Sequence, residues 1–228
     1  MILTNRLFVR VAPSREAKSI YIFCEGAKRE FDYFKYFKEL DSRINIEIYK
    51  LHPHEDNSPS GLLAIAEKCI IKTEKNANPK YNFIEGDEVW IVLDVDKDKD
   101  ESRAPKIEIV KEKCESMKNW HLAQSNPCFE VWLYYHFHST KPVFVNSDKC
   151  SLWKRLVNKS IIGGFDSRRH PIYIGTASKN AESNFQTADN KLDIGSTNVY
   201  ELANTIIPLV NSKLEKVLTD IEGKSTTA

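Results

Sequence analysis

A run of five apolar residues, Val89-Trp-Ile-Val-Leu93, passes directly into Asp94-Val-Asp96-Lys-Asp98-Lys-Asp100. On an extended chain, residues two apart point the same way, roughly 6 to 7 Å from each other. Two carboxylates at that separation repel by about 2.5 kcal/mol at an effective dielectric near 20. A divalent cation is the usual counter-charge, which makes Asp94 and Asp96 candidate ligands. A second apolar run, Ser19-Ile-Tyr-Ile-Phe-Cys24, ends at Glu25-Gly26. If the two runs are neighbouring parallel strands about 4.8 Å apart, Glu25, Asp94 and Asp96 converge beyond the strand carboxyl ends, where open α/β sheets bind their ligands. An oxygen-only donor set suits Mg²⁺ or Mn²⁺ rather than zinc. Asp94 and Asp96 would hold the ion, and Glu25 would ligate it or act as general acid or base. Taken alone, an alternating aspartate run reads equally as a solvated charged turn. The second acidic strand end favours a site.

Cations accompany the acids. Lys28 and Arg29 follow Glu25-Gly26 and are placed to meet a scissile phosphate, Lys28 foremost. Segment 149–170 carries Lys149, Lys154, Arg155, Lys159, Arg168 and Arg169 against Asp166, a net +5. It would grip a nucleic-acid backbone, or it is solvated helix charge.

These residues need a scaffold. From residue 19 the pattern alternates: strand 19–24; helix 28–40 with Phe31, Phe34, Phe37 and Leu40 on one face; strand 44–51, apolar on one side only; helix 62–71, capped by Ser58 or Ser60. Val89–Leu93 is apolar on both faces, as a central parallel strand must be. A third helix is entered at Pro105 with Ile107, Val110, Cys114 and Met117 as its stripe. A weak fourth strand spans 121–125, and helix 126–137 has Pro127 in its first turn. The order βαβαβαβα predicts a four-stranded parallel sheet flanked by helices, an α/β fold of the Rossmann-like kind. Residues 1–140 form this unit, and 141–228 form a mainly helical extension packed on the same core. Helical stretches are expected at 151–158, 177–189 and 198–216, with Pro208 as a kink and a frayed tail from Glu222.

The 228 residues, 41% hydrophobic and 29% charged, suffice for a real core, while a net charge of +1 leaves no global field to attract a polyanion. Five cysteines with no C-x-x-C pair argue against a disulfide framework or zinc ribbon and for a reducing cytoplasm. No apolar run is long enough for a signal peptide or a membrane span. Phe129, Trp132, Leu133 and Phe137 follow helical spacing and read as core. His136 and His138 read as packed or surface residues, and His52, His54, Glu55 and Asp56 as a polar turn.

Glu25-Gly26 after one strand and Asp94-Val-Asp96 after a later one resemble the Toprim domain of topoisomerases, primases and overcoming-lysogenization-defect nucleases. More closely, CEGAKREFDYF, LDVDKD, SNPCFEVWLYYHF and STNVYEL, in that order, resemble the RloB-like family, a Toprim branch of bacterial and archaeal genome-defence and restriction loci. The similarity spans roughly 17–210. It implies a Toprim sheet and Mg²⁺-dependent phosphodiester chemistry, often with an ATPase partner. Glu25 matches the Toprim glutamate, Asp94 and Asp96 the aspartate pair, and Asp98 the third aspartate of some Toprim enzymes. Glu130 resembles the acid that helps hold a second ion in nuclease branches, although an acid there would also favour its helix terminus. One departure is Arg29, which stands where a small hydroxyl residue is expected before Glu30.

Three functions compete. A metal-dependent nuclease acting on DNA or RNA, in anti-phage or genome defence, accounts for most of these features. A haloacid-dehalogenase-type phosphatase shares the strand-DxD pattern, but its strand usually opens the domain and a Thr or Val stands where this chain has Asp98. A Toprim-fold subunit that binds nucleic acid or an ATPase without cutting is the non-enzymatic reading. The chain is too short for the strand-passage or polymerising domains of topoisomerases and primases.

Overall fold

A computed structural model describes residues 8–95, 103–142, 149–189 and 191–225, with side chains as far as 221. Four strands, β1 (Lys18–Cys24), β2 (Ile44–Tyr49), β3 (Glu88–Asp94) and β4 (Trp120–Ser125), form one all-parallel sheet in the order β2-β1-β3-β4. The expected α/β architecture is present.

Alternation along the two inner strands explains why both read as continuous apolar runs. Ile20, Ile22, Trp90 and Val92 face one buried cluster, and Tyr21, Phe23, Val89, Ile91 and Leu93 face the other. Both faces are covered, so neither strand has a polar side. The edge strand β2 buries Ile44 and Ile46 while Asn45 and Glu47 stay partly exposed.

Helices α2 (Pro59–Ile70) and α3 (Arg103–Ser116) cover one face, inserting Leu62, Leu63, Ala66, Ile107, Val110 and Cys114. Ser58 is the α2 cap: its Oγ accepts the Gly61 N–H at 3.2 Å, and Pro59 occupies the first turn. The other face is built by α1 (Arg29–Lys35), α4 (Glu130–Tyr134), α5 (Cys150–Ser160), a 3₁₀ turn (His170–Tyr173), α6 (Ile174–Ser183) and α7 (Val199–Ser225). Trp153, Val157, Ile174, Leu202, Ile206, Val210 and Leu214 from the later helices share one buried cluster with Ile20 and Val92. Everything after residue 140 that contributes to this cluster therefore completes the core under the sheet. A short hairpin, β5 (Thr187–Ala188) with β6 (Lys191–Leu192), precedes α7.

The chain from 196 to 198 seals the outer edge of β4. Thr197 Oγ1 donates to the Gln124 carbonyl at 2.9 Å, Asn198 Oδ1 accepts the Gln124 N–H at 2.5 Å, and Asn198 Nδ2 donates to the Leu122 carbonyl at 3.1 Å. An unpaired edge invites pairing with another chain, and STNVYEL satisfies this one internally.

Several elements differ from expectation. Helix α1 ends at Lys35 and the chain continues in turns, yet Phe37 and Leu40 are still fully buried, so their spacing reported burial rather than helix length. Helix α3 begins at Arg103, two residues before Pro105. Asn126–Pro127 is a cis peptide, and α4 starts only at Glu130, because Asn126 is bound to the Ser196 carbonyl and the Phe129 N–H to a carboxylate described below. Phe137 is 41% exposed and not core, whereas Phe129, Trp132 and Leu133 are buried. His136 is enclosed between Tyr33 Oη at 3.0 Å and the Trp132 carbonyl at 3.1 Å, a packed role. Helix α7 runs on to Ser225 through the expected tail. Among the described residues, no helix is long and apolar enough to cross a membrane.

Candidate active site

Strand register brings the acidic ends together. Cys24 pairs with Val92, and the Glu25 N–H donates to the Val92 carbonyl at 3.2 Å, so β1 releases Glu25 beside the end of β3. The Asp94 N–H then donates to Glu25 Oε2 at 3.3 Å. Asp94 Oδ1 in turn accepts the Phe129 N–H at 2.9 Å. That bond uses one of the amide groups a helix start leaves without an internal partner and orients the Asp94 carboxylate.

A buried arginine closes this arrangement. From the first residue of α3, Arg103 donates through Nε to the Asp94 carbonyl at 3.1 Å, and one of its terminal nitrogens reaches that carbonyl at 2.6 Å and also Glu25 Oε2. The Arg103 and Glu25 side chains are each 8% exposed. At that burial the charges interact through a medium of low effective dielectric.

Two more acids face the same space. Glu30 on α1 folds back over Gly26, where an added Cβ would lie 1.8 Å from Glu30 Oε2, so a side chain at 26 would displace that carboxylate. Burial pushes the Glu30 carboxyl up to about 7, with Glu130 and Glu25 adding to the rise while its own backbone N–H and Arg29 oppose it. Glu130, the first residue of α4, is 4% exposed, and Arg29 Nε stands 3.8 Å from its Oε1. Cys24 below is raised well above the ordinary thiol range by burial first, then by Glu30 and Asp94, which keeps it an unreactive thiol.

A cavity of about 510 Å³ collects these groups. Glu25, Glu30, Asp94 and Glu130 line it from the sheet end and from α1 and α4, while Lys28, Arg29 and Lys154 line it with positive charge. Of the residues singled out in the sequence, Glu25, Asp94, Glu130, Lys28, Arg29 and Lys154 are thus brought to one place. Asp96 and Asp98 lie outside the described residues. Arg155 is exposed on the helix that carries Lys154. Arg168 and Arg169 are instead tied to Asp166, at 2.9 and 3.7 Å, away from the cavity lining.

Sequence reasoning missed Arg103 and the place of Glu30. His52 and Glu55, read as part of a polar turn, also line the cavity, together with Asn57.

In donor type the site fits a hard divalent cation, because every buried acid facing the cavity presents carboxylate oxygen. In number the described residues fall short: among them, no three His, Cys, Asp or Glu side chains are gathered closely enough to hold an ion.

A protein-family model described as RloB-like protein matches residues 20–206, more than three quarters of the chain. No curated protein and no solved structure matches it.

Proposed function

This chain belongs to the RloB-like protein family, and from that premise we propose that it is a nuclease hydrolysing phosphodiester bonds with Mg²⁺ or Mn²⁺ bound at Glu25, Asp94 and Asp96. The observation that supports this most is the convergence of Glu25, Asp94, Glu30 and Glu130 on one cavity rimmed by Lys28, Arg29 and Lys154. Buried like charges without catalytic use are costly, and a polyanionic substrate explains why cations line the same space.

When bound, the cation supplies a polarised phosphoryl oxygen and an activated water. The chain's own residues do the rest. Phe129 fixes the orientation of Asp94 through its N–H. Lys28, at the entry to α1, receives a non-bridging phosphate oxygen, and Arg29 and Lys154 hold flanking phosphates. Asp98 is a further candidate ligand, and Glu130 is a candidate ligand for a second ion. Arg155, Arg168 and Arg169 extend the nucleic-acid track beyond the cavity. Anti-phage or genome defence in the cytoplasm, with an ATPase as partner subunit, is the biological setting that goes with this reading.

The test is incubation of the purified full chain with labelled DNA and RNA in Mg²⁺, Mn²⁺ or chelator. Cleavage requiring the cation and lost in folded Glu25→Gln and Asp94→Asn is the expected result. Undiminished activity in both variants refutes it.

One observation favours a second reading, a subunit that binds nucleic acid or an ATPase without cutting. The Arg103 guanidinium already neutralises Glu25, and a site whose glutamate is paired with arginine can serve structure alone. Calorimetric titration decides: saturable Mg²⁺ binding that Asp94→Asn abolishes supports the nuclease, and no binding supports the subunit.

A further inference from the structure

Between α5 and the 3₁₀ turn the chain makes a tight corner. The Gly164 N–H donates to the Ile161 carbonyl at 2.8 Å, and Gly163 and Gly164 both have positive φ, +80° and +73°. Left-handed backbone at the third position of such a turn calls for glycine, which leaves Ile162 at the leading corner. Its neighbours are anchored: Ile161 is 5% exposed and Phe165 9%, and Phe165 packs edge-on against His136 and His170. Ile162 itself is 103% exposed. A β-branched side chain is stiff at χ1, so the corner holds a rigid apolar group out in water between two buried pegs.

Single exposed apolar residues are ordinary, but the company of this one is not. The helix that ends just before it carries exposed Lys154, Arg155 and Lys159, and Lys154 lines the candidate active site. Six residues of helix at about 1.5 Å and two of loop at no more than 3.6 Å place Ile162 within about 16 Å of Lys154 along the chain. That is at most four or five stacked nucleotides at about 3.4 Å each.

We propose that Ile162 is an apolar wedge that enters a base step of a nucleic-acid duplex while Arg155 and Lys159 hold the adjoining phosphates, fixing where the duplex lies relative to the cavity. The proposal rests on the nucleic-acid reading of that cavity. Aliphatic wedges suit partial unstacking of a duplex step, whereas platforms for single strands use exposed aromatic rings, and the ring at this corner, Phe165, is buried. The basic helix face supplies the matching charge.

The experiment uses the full chain, with Ca²⁺ replacing Mg²⁺, and a duplex carrying 2-aminopurine at successive positions. Wild-type protein should raise the fluorescence at one step within about five nucleotides of the cleavage position. Ile162→Ser, which touches no core contact, should abolish that rise and weaken binding about tenfold with an unchanged salt slope. Lys159→Ser should lower the salt slope by about one and retain part of the rise. If wild type binds the duplex and Ile162→Ser matches it in affinity and fluorescence, the wedge is wrong while the nuclease reading stands. If Ile162→Ser instead turns a dimer into a monomer in sedimentation and leaves binding unchanged, the corner belongs to a second copy of the chain and the wedge is again wrong. Failure of wild type to bind any duplex or single strand overturns both readings.

Discussion

The Arg103 guanidinium spans Glu25 Oε2 and the Asp94 carbonyl, with Arg103 and Glu25 both almost wholly buried. It therefore ties the ends of β1 and β3 to the first residue of α3 and supplies positive charge where the proposed cation would act. Removing one partner of a buried pair costs about 3 to 5 kcal/mol, so Arg103→Gln should melt well below wild type. It should also leave Glu25 with more need of a counter-charge. Millimolar Mg²⁺ is expected to raise the melting temperature of Arg103→Gln more than that of wild type, read by calorimetry. An equal or smaller rise would show that Glu25 takes no part in binding the ion.

The same pair makes Glu25→Gln an ambiguous probe, since it strands a buried guanidinium. Asp94→Asn is cleaner. An asparagine oxygen still accepts the Phe129 N–H that the carboxylate accepts at 2.9 Å, so that bond should weaken by no more than about 1 kcal/mol. The lost charge should lower cleavage at least hundredfold, the equivalent of about 3 kcal/mol of transition-state stabilisation. A stable variant with wild-type turnover would place the chemistry elsewhere.

Glu30 gives stability a pH dependence of definite sign. Its carboxyl rises from 4.5 to about 7 on folding, chiefly through burial. The folded state then holds the proton more tightly than the unfolded chain, so stability falls as pH climbs through this window, by roughly 3 kcal/mol in all. His136 works in the opposite sense: burial pushes it down to about 3, and its contribution is lost as pH falls below 6.5. Glu30→Gln removes only the first effect. In chelator, urea melts should show Glu30→Gln gaining about 2 kcal/mol on wild type between pH 5 and pH 8. A constant difference would mean that the carboxyl is not buried as described.

How far the sequence foretold this site depends on what each residue leaves in the linear pattern. Strands β1 and β3 were visible because a strand covered on both faces is an unbroken apolar run with sharp polar ends, and those ends carried Glu25 and Asp94. The start of α4 was misplaced because Pro127 suits a first helical turn, while the tertiary bonds that hold Asn126 and Phe129 have no local signature. The β5–β6 hairpin has two residues per strand, too few for any periodicity. Arg103 is one of 33 Lys and Arg residues, and nothing in its neighbours says that it turns inward to meet a carboxylate 78 positions away. Ion-pair partners distant in sequence are chosen by the packed fold, and composition records only that both signs are present.

STNVYEL is one of the stretches that carry the family resemblance, and in the structure its polar side chains bond the sheet edge. Asn198 bonds both the Gln124 N–H and the Leu122 carbonyl on the outer edge of β4, and Thr197 bonds the Gln124 carbonyl. Asn198→Ala would leave one amide and one carbonyl of that edge to water, at a cost of about 2 kcal/mol given its partial exposure. Because β4 also pairs with β3 at Asp94↔Ser125, loosening it could be mistaken for a catalytic defect. The distinction is quantitative. If the motif braces the sheet, Asn198→Ala should melt earlier in denaturant yet cleave at the wild-type rate per folded molecule, measured at low temperature where both proteins are fully native. A large loss of cleavage with an unchanged melting curve would instead place Asn198 in the reaction itself, because an edge brace cannot alter turnover without first altering stability.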